Sequence, residues 1–128
     1  MMNPKDLKYT KEHEWIRVEG NTGVMGITDH AQELLTDIVF VELPEVGKTV
    51  KQGETVAVLE SVKAVSDVYS PVSGEITEVN SELTDKVEMI NKKPYGEGWI
   101  AKLKINDLKE LDNLMTAEQY EEFLKKGH

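Results

Sequence analysis

The chain has 128 residues, of which 15 are basic and 24 acidic, giving a formal net charge of −9. A chain of this length normally forms one domain with its own core, so we expect a single domain over residues 1–128. The acidic balance disfavours nucleic acids and anionic membranes as partners, and the absence of cysteine excludes disulfides and thiolate chemistry.

The sequence also carries no targeting or membrane signal that we recognise. Its apolar runs are all shorter than the roughly 20 residues of a membrane span. The opening residues, "MMNPKDLKYT", have neither the apolar core of a signal peptide nor the arginine-rich character of a transit peptide. We therefore expect a cytoplasmic protein that does not bind membranes. Because a net negative surface opposes self-association, we also expect a monomer.

Strand patterns dominate the part of the chain before the C-terminal region. The segments "EWIRVEG", "GVMGI" and "DIVFVELP" are rich in β-branched and aromatic side chains; a turn at Gly20-Asn21 follows the first, and Pro44 ends the third. Between the last two, "TDHAQELLTDI" changes to helical spacing, with Asp29 as the expected N-cap and apolar positions continuing to Ile38. The expected fold class is therefore mainly β with a short internal helix.

The C-terminal part combines one more strand with helices. The segment "GWIAKLKI" alternates apolar and lysine side chains, which predicts a strand over 98–105. A helical segment is expected over about 107–126, where Thr116 and Gln119 form a capping box and an apolar stripe covers the sheet. Trp15 and Trp99 are expected to be aromatic side chains of the core or its rim.

The sequence shows no pattern typical of a catalytic centre. His13 and His30 lack an H-E-x-x-H partner or a cysteine companion, and His128 stands at the terminus. The sequence has no G-x-S-x-G, P-loop or G-x-G-x-x-G segment. We therefore predict a protein that is not an enzyme and that holds no metal ion.

One lysine, Lys63, stands in the middle of "LESVKAVSDVY", where the chain is expected to reverse direction. The apolar and β-branched residues on both sides predict two strands, with Lys63 near the turn between them. One interpretation is an ordinary surface lysine, because turns face water. The other is an acceptor amine, to which an enzyme joins a cofactor that supplies the chemistry.

Several long segments favour the second interpretation. The segment "ESVKAVSDVYSPVSGEI" closely resembles the lipoyl-attachment segment of the glycine cleavage system H protein family. The segments "HEW", "GITDHAQELLTDIVFVELPEVG" and "YGEGWIAKLK" resemble the same family, in the same order. The similarity extends from about Leu7 to Leu124, which makes it far more specific than one short motif.

The resemblance implies a barrel-sandwich hybrid of two small antiparallel sheets, with a lipoyl hairpin over about 54–79 and C-terminal helices. It implies lipoic acid in amide linkage to Lys63, attached by a separate enzyme. It also implies a shuttle in glycine catabolism and one-carbon metabolism, which carries the aminomethyl group of glycine from the P protein to the T protein. Electrons then pass to the L protein, so the chain is a non-catalytic carrier with these three enzymes as partners.

The family also suggests where the loaded arm rests. An aminomethyl group is a cation at neutral pH, so a groove that holds it favours carboxylates. Glu14 and Asp67 match family positions described as holding that amine, while Glu12 and His30 are weaker candidates. The alternative is that Glu14 and Asp67 are ordinary acids at strand edges. Glu60 is expected either to help the attaching enzyme recognise the hairpin or only to keep a strand edge soluble.

Other carriers share the hairpin lysine. A biotin carrier usually places that lysine between two methionines, whereas Val62 and Ala64 flank Lys63 here. A lipoyl domain of a 2-oxo-acid dehydrogenase is shorter and is tethered by Ala/Pro-rich linkers, which this sequence lacks. An adaptor domain with an unmodified lysine is a third alternative. Within the family, an H-like protein that relays lipoyl groups to other acceptor proteins also stays open.

Overall fold

The computed structural model describes residues 3–127, so His128 lies outside the described residues. The strands of this part of the chain are short, and most of them follow one another through tight turns. They are β1 (Lys8–Tyr9), β2 (Glu14–Glu19), β3 (Thr22–Ile27), β4 (Ile38–Glu42), β5 (Thr49–Val50), β6 (Thr55–Ser61), β7 (Val65–Tyr69), β8 (Gly74–Val79) and β9 (Ala101–Ile105).

The helices are few and lie between or after the strands. They are α1 (Asp29–Leu35), a 3-10 helix (Ser81–Thr84), α2 (Met89–Lys92), a second 3-10 helix (Leu108–Asn113) and α3 (Ala117–Lys125). Across residues 3–127, none of these helices has both the length and the apolar character that crossing a membrane requires.

The described strands form two antiparallel sheets. The larger sheet has the order β1-β2-β3-β9-β8-β5, and the smaller has the order β4-β6-β7. In the larger sheet β3 pairs with β9, so the N-terminal hairpin and the C-terminal strand share one surface. In the smaller sheet β6 and β7 form the hairpin that contains Lys63. The expected mainly β class with two antiparallel sheets is confirmed.

Apolar side chains from both sheets form the main core. Because successive strand residues point to opposite faces, regular strands such as β3 and β9 contribute alternate positions to this layer, whereas irregular pairing of β4, β6 and β7 changes that spacing. The members with little or no exposure include Met25, Ile27, Val41, Leu59, Val68, Ile76, Ile100 and Leu103.

A second cluster holds α3 against the edge of the larger sheet. Tyr120 and Ala117 of α3 pack with Tyr9 and Trp15, and all four side chains are buried. The expected capping box is present, because the side chains of Thr116 and Gln119 each accept from the other's backbone N–H. The prediction that this helix covers the sheet is confirmed.

The start of α1 differs from the prediction. The N-cap is Thr28, whose extended backbone lets its Oγ1 accept from the N–H of Ala31 at 3.2 Å. Asp29 is instead the first helical residue, where a carboxylate favours the helix dipole. The helix ends at Leu35, and Ile38 begins β4 rather than continuing the helix. The helical spacing of the apolar residues up to Ile38 therefore overestimated the length of α1.

The C-terminal elements also differ in their boundaries. The strand expected over 98–105 begins only at Ala101, because Gly98 belongs to the preceding turn. The helical segment expected over 107–126 consists of the second 3-10 helix and α3, with extended residues between them. Trp15 is fully buried and Trp99 is half-buried, so the prediction for both tryptophans is confirmed.

Two neighbouring glycines allow a direct test of the packing around this turn. A Cβ added at Gly98 would lie 2.6 Å from the carbonyl oxygen of Met89 and 2.7 Å from that of Lys93. At Gly96 the nearest atom would be the Cβ of Lys93 at 3.9 Å. We predict that Gly98→Ala lowers the free energy of unfolding by about 1–3 kcal/mol, whereas Gly96→Ala changes it by less than about 1 kcal/mol.

Urea unfolding of both variants against the parent protein measures the difference. Equal stabilities for the two variants would show that the backbone near Gly98 moves freely enough to accept a side chain.

Candidate functional site

Lys63 lies at the exposed turn between β6 and β7. The hydroxyl of Ser61 organises this turn, because its Oγ accepts from the backbone N–H of Ala64 at 3.1 Å and of Lys63 at 3.3 Å. The N–H of Ser61 also donates to the carbonyl of Ala64 at 2.8 Å. The predicted placement of Lys63, at an exposed turn between Ser61 and Val65, is confirmed. Its modification stays a prediction.

Exposed apolar side chains surround this turn. Val62 and Val65 are 66% and 67% exposed, and Phe40 of the neighbouring strand is 53% exposed. Glu60 pairs with both Phe40 and Val65, so these three residues form one row across the smaller sheet. Apolar surface grouped in this way is typical of protein contacts. A recognition role for Glu60 in lipoate attachment stays a prediction.

A groove of about 400 Å³ begins beside the turn and follows β7 toward the start of β2. Its walls come from α1, from β7 and from the residues that precede β2. The apolar lining is Ile27, Ala31, Leu34, Leu35, Leu59, Val65 and Val68. The polar lining is Glu12, His13, Glu14, Ser66, Asp67 and Tyr69.

Glu14 closes the far end of this groove as a buried acid. Its side chain is 2% exposed, and its oxygens accept from the hydroxyl of Thr10 and from the backbone N–H of Tyr69, the latter at 3.1 Å. Burial raises the pKa of Glu14 to about 7, although both hydrogen bonds oppose this shift. Glu14 is therefore not an ordinary exposed acid, and it titrates near neutral pH.

Asp67 lies on β7 between Lys63 and the residue that contacts Glu14. It is exposed, and the rise of a strand places it about 7 Å from Tyr69 along the chain. The structure therefore brings Asp67 and Glu14 to one groove, and Glu12 lines it as well. His30 is not among the lining residues. The roles of Glu14 and Asp67 toward an amine stay predictions.

The sequence pattern gave no role to His13, which lines the groove beside Glu14. Its Nδ1 lies 2.7 Å from the hydroxyl of Tyr120, and its ring contacts that of His30 at 4.7 Å between centroids. Burial, with a smaller effect of His30, lowers the pKa of His13 to about 4, so the imidazole is neutral at pH 7. In the sequence, its position next to Glu14 in "HEW" was the feature that could have pointed to His13 as part of the site.

A second cavity, of about 480 Å³, also has Glu14 in its wall. It shares Glu12, Glu14 and Tyr69 with the groove, but its other walls come from Tyr9 and from loops that lead away from Lys63. The strand residues next to Lys63 do not line it. The smaller groove, which begins at the turn, is therefore the candidate site for a group attached to Lys63.

Comparison with known proteins identifies the family. The family model described as "Glycine cleavage H-protein" matches residues 7–127. The chain belongs to the glycine cleavage H-protein family. A protein named glycine cleavage system H protein from Symbiobacterium thermophilum is 60% identical over 124 residues, which cover 97% of each chain. The protein of the same name from Escherichia coli is 58% identical and covers 95% of each chain.

A solved structure supports the fold assignment. The glycine cleavage system H protein from Mycobacterium marinum has a TM-score of 0.85 and 41% identity, covering 97% of this chain and 98% of that one. The expected barrel-sandwich hybrid of the lipoyl-carrier type is confirmed. Membership of the H-protein family decides against a biotin carrier, a 2-oxo-acid dehydrogenase lipoyl domain and an unrelated adaptor.

The raised pKa of Glu14 has a consequence for stability. The ordinary carboxyl pKa is 4.5, so between pH 4.5 and about 7 the unfolded chain ionises while the native chain keeps its proton. Native Glu14 then binds more protons than unfolded Glu14, and stability falls as the pH rises through this window. The loss amounts to about 3 kcal/mol and is complete above the native pKa.

We predict that Glu14→Gln removes this dependence, because glutamine resembles the protonated acid in shape and in hydrogen bonding. Denaturant unfolding of both proteins from pH 4.5 to 8 should show the parent losing stability relative to the variant. A stability difference that stays constant over this range would mean that native Glu14 titrates normally.

Proposed function

We propose that this chain is the lipoyl-carrying shuttle of the glycine cleavage system, with lipoic acid in amide linkage to Lys63. The observation that carries the proposal is the exposed Lys63 turn at the entrance of a groove that ends at a buried carboxyl. The family supports it, because the relatives are named glycine cleavage system H protein.

The residues around Lys63 fit an attached arm. The amine is exposed on a turn that side-chain and backbone hydrogen bonds hold in shape, so an attaching enzyme can reach it. The adjacent groove has apolar walls, which suit a hydrocarbon chain, and acids at and before its far end, which suit a cation. When bound, lipoate supplies a dithiolane that accepts the aminomethyl group of glycine and later passes on electrons.

The groove residues hold and protect the carried group in this proposal. The apolar side chains of α1 and β7 cover part of the carried arm and reduce its contact with water, which limits hydrolysis. A nearby cation stabilises the ionised form of an acid, so docking of the amine lowers the pKa of Glu14 and releases its proton. Asp67 offers a second carboxylate closer to the open end, where water screens it more strongly.

The chain acts as a carrier rather than an enzyme in this account. Its partners are the P protein, the T protein, the L protein and a lipoate-attaching enzyme. Each of them must approach the Lys63 turn, where Phe40, Val62 and Val65 offer apolar contacts and Glu60 offers charge. The net charge of −9 favours partners with basic surfaces and speeds their encounter.

The attachment site can be tested by mass. We predict that Lys63→Arg abolishes the mass increase of one lipoyl group after incubation with lipoate and a lipoate ligase, because arginine keeps the charge but offers no acylatable amine. Lys86→Arg, a matched change at another lysine, should be modified like the parent protein. A lipoylated peptide from any other lysine of the Lys63→Arg variant would contradict the assignment.

The groove can be tested by the lifetime of the carried group. We predict that loss of the aminomethyl group without T protein is about tenfold faster in Glu14→Ala and about threefold faster in Asp67→Ala, because each change removes a carboxylate facing the amine. Glu75→Ala, at an exposed acid on β8, should match the parent protein. Reduction of the unloaded arm by L protein should stay near normal in all three variants.

Parent-like lifetimes for both groove variants would remove Glu14 and Asp67 from the site. This result would not count against Lys63 as the attachment site, because the mass experiment tests that assignment separately.

A further inference from the structure

Tyr120 of α3 is a buried tyrosine whose hydroxyl has two specific partners. The side chain has no exposed surface, and its ring stacks on that of Tyr9 at 4.7 Å between centroids and 5° between planes. Packing of this kind would accept phenylalanine equally well. The hydroxyl, however, lies 2.7 Å from Nδ1 of His13 and 2.8 Å from Oγ1 of Thr28.

These two partners belong to different walls of the groove. His13 precedes Glu14 and lines the groove itself, while Thr28 caps α1, which supplies Ala31 and other apolar lining residues. The backbone N–H of Thr28 also donates to the carbonyl of His13 at 3.0 Å. Tyr120 therefore stands where the turn before β2 meets the start of α1.

Burial determines the direction of this hydrogen-bond chain. The Oγ1 of Thr28 already accepts from the N–H of Ala31, and the residue has no exposed surface. If Tyr120 donated to Thr28, the hydroxyl hydrogen of Thr28 would lack an acceptor among the described residues, which is costly in a buried place. The hydroxyl of Thr28 therefore donates to that of Tyr120, and the hydroxyl of Tyr120 donates to Nδ1 of His13. His13 then carries its hydrogen on Nε2.

The backbone of His13 shows why such an anchor matters. Its φ is 72°, in the left-handed region that residues with a side chain seldom adopt. Glu14 follows directly, so a change in the conformation of His13 would move the backbone that places the buried carboxyl. Backbone bonds of Thr10 with His13 and Glu14 close the turn, and the N–H of Thr28 and the hydroxyl of Tyr120 attach it to its neighbours.

We propose that Tyr120 is a positioning residue for the groove: through its hydroxyl, the C-terminal helix fixes His13 and Thr28, and thereby the wall next to Glu14. The covering helix then has a second role in addition to burying the edge of the sheet. The effect of this on a carried group rests on the proposed function, whereas the effect on His13 does not.

The first measurement uses the full chain without lipoate. The ¹⁵N chemical shifts of the His13 ring distinguish the two neutral tautomers. We expect the Nε2–H form in the parent protein and a loss of its exclusive population in Tyr120→Phe, because Nδ1 has lost its donor. Tyr9→Phe is the matched control: its hydroxyl bonds to the carbonyl of Pro4, so the His13 signals should not change.

The second measurement uses the lipoylated protein carrying the aminomethyl group. We expect Tyr120→Phe to speed its loss about fivefold, because the change removes both hydrogen bonds of the Tyr120 hydroxyl, and Tyr9→Phe to leave it unchanged. In a His13→Ala background, Tyr120→Phe should add a smaller acceleration than in the parent protein, because only the bond to Thr28 is then lost. Urea unfolding of each variant checks that the fold is retained.

Each result bears on a separate claim. Unchanged His13 signals in Tyr120→Phe would overturn the positioning role, whether or not the chain accepts lipoate. An equal acceleration by Tyr9→Phe would also overturn it. So would an acceleration by Tyr120→Phe that is as large in the His13→Ala background as in the parent protein. Either result would indicate general loosening of the cluster. Failure of lipoate attachment would instead count against the proposed function, while the tautomer measurement would still decide the role of Tyr120.

Discussion

The buried carboxyl of Glu14 joins the two sheets at the site. Glu14 begins β2 of the larger sheet, and its oxygen accepts from the backbone N–H of Tyr69 at the end of β7 in the smaller sheet. A buried acid is costly unless its oxygens are bonded, and here Thr10 and Tyr69 supply the donors. The groove therefore ends at a titratable acid that connects the two sheets.

This arrangement links the site to the rest of the fold. β7 leads from the Lys63 turn to Tyr69, so the strand that follows the lysine turn also donates to the acid at the other end of the groove. The apolar wall comes from α1, whose cap, Thr28, bonds to the C-terminal helix through Tyr120. An exposed lysine is thus placed beside the groove.

The sequence predicted the features that depend on local pattern. The hairpin around Lys63 could be found because two β-rich arms flank a lysine where the chain reverses, and the capping box of α3 could be found from Thr116 and Gln119. The cap of α1 was misplaced by one residue because Asp29 and Thr28 are both good capping residues. The distinction depends on backbone angles that the pattern does not contain.

The burial of Glu14 and the role of His13 depend on distant contacts. Tyr69 is 55 residues from Glu14, and Tyr120 is 107 residues from His13, so neither contact leaves a local signal. An acid before a tryptophan at the start of a strand would ordinarily be assigned to the surface. Only the resemblance to the H-protein family pointed to Glu14, and nothing in the pattern pointed to Tyr120.

The central claim is that a group carried on Lys63 rests in the groove that ends at Glu14. Comparison of ¹H–¹⁵N spectra of the lipoylated protein with and without the aminomethyl group tests this most directly. The account predicts that the largest shift changes occur at Tyr69, Glu14 and Ala31, along the groove and at its end. Changes confined to residues 61–66, with the far end unaffected, would show an arm that stays in solvent and would contradict the claim.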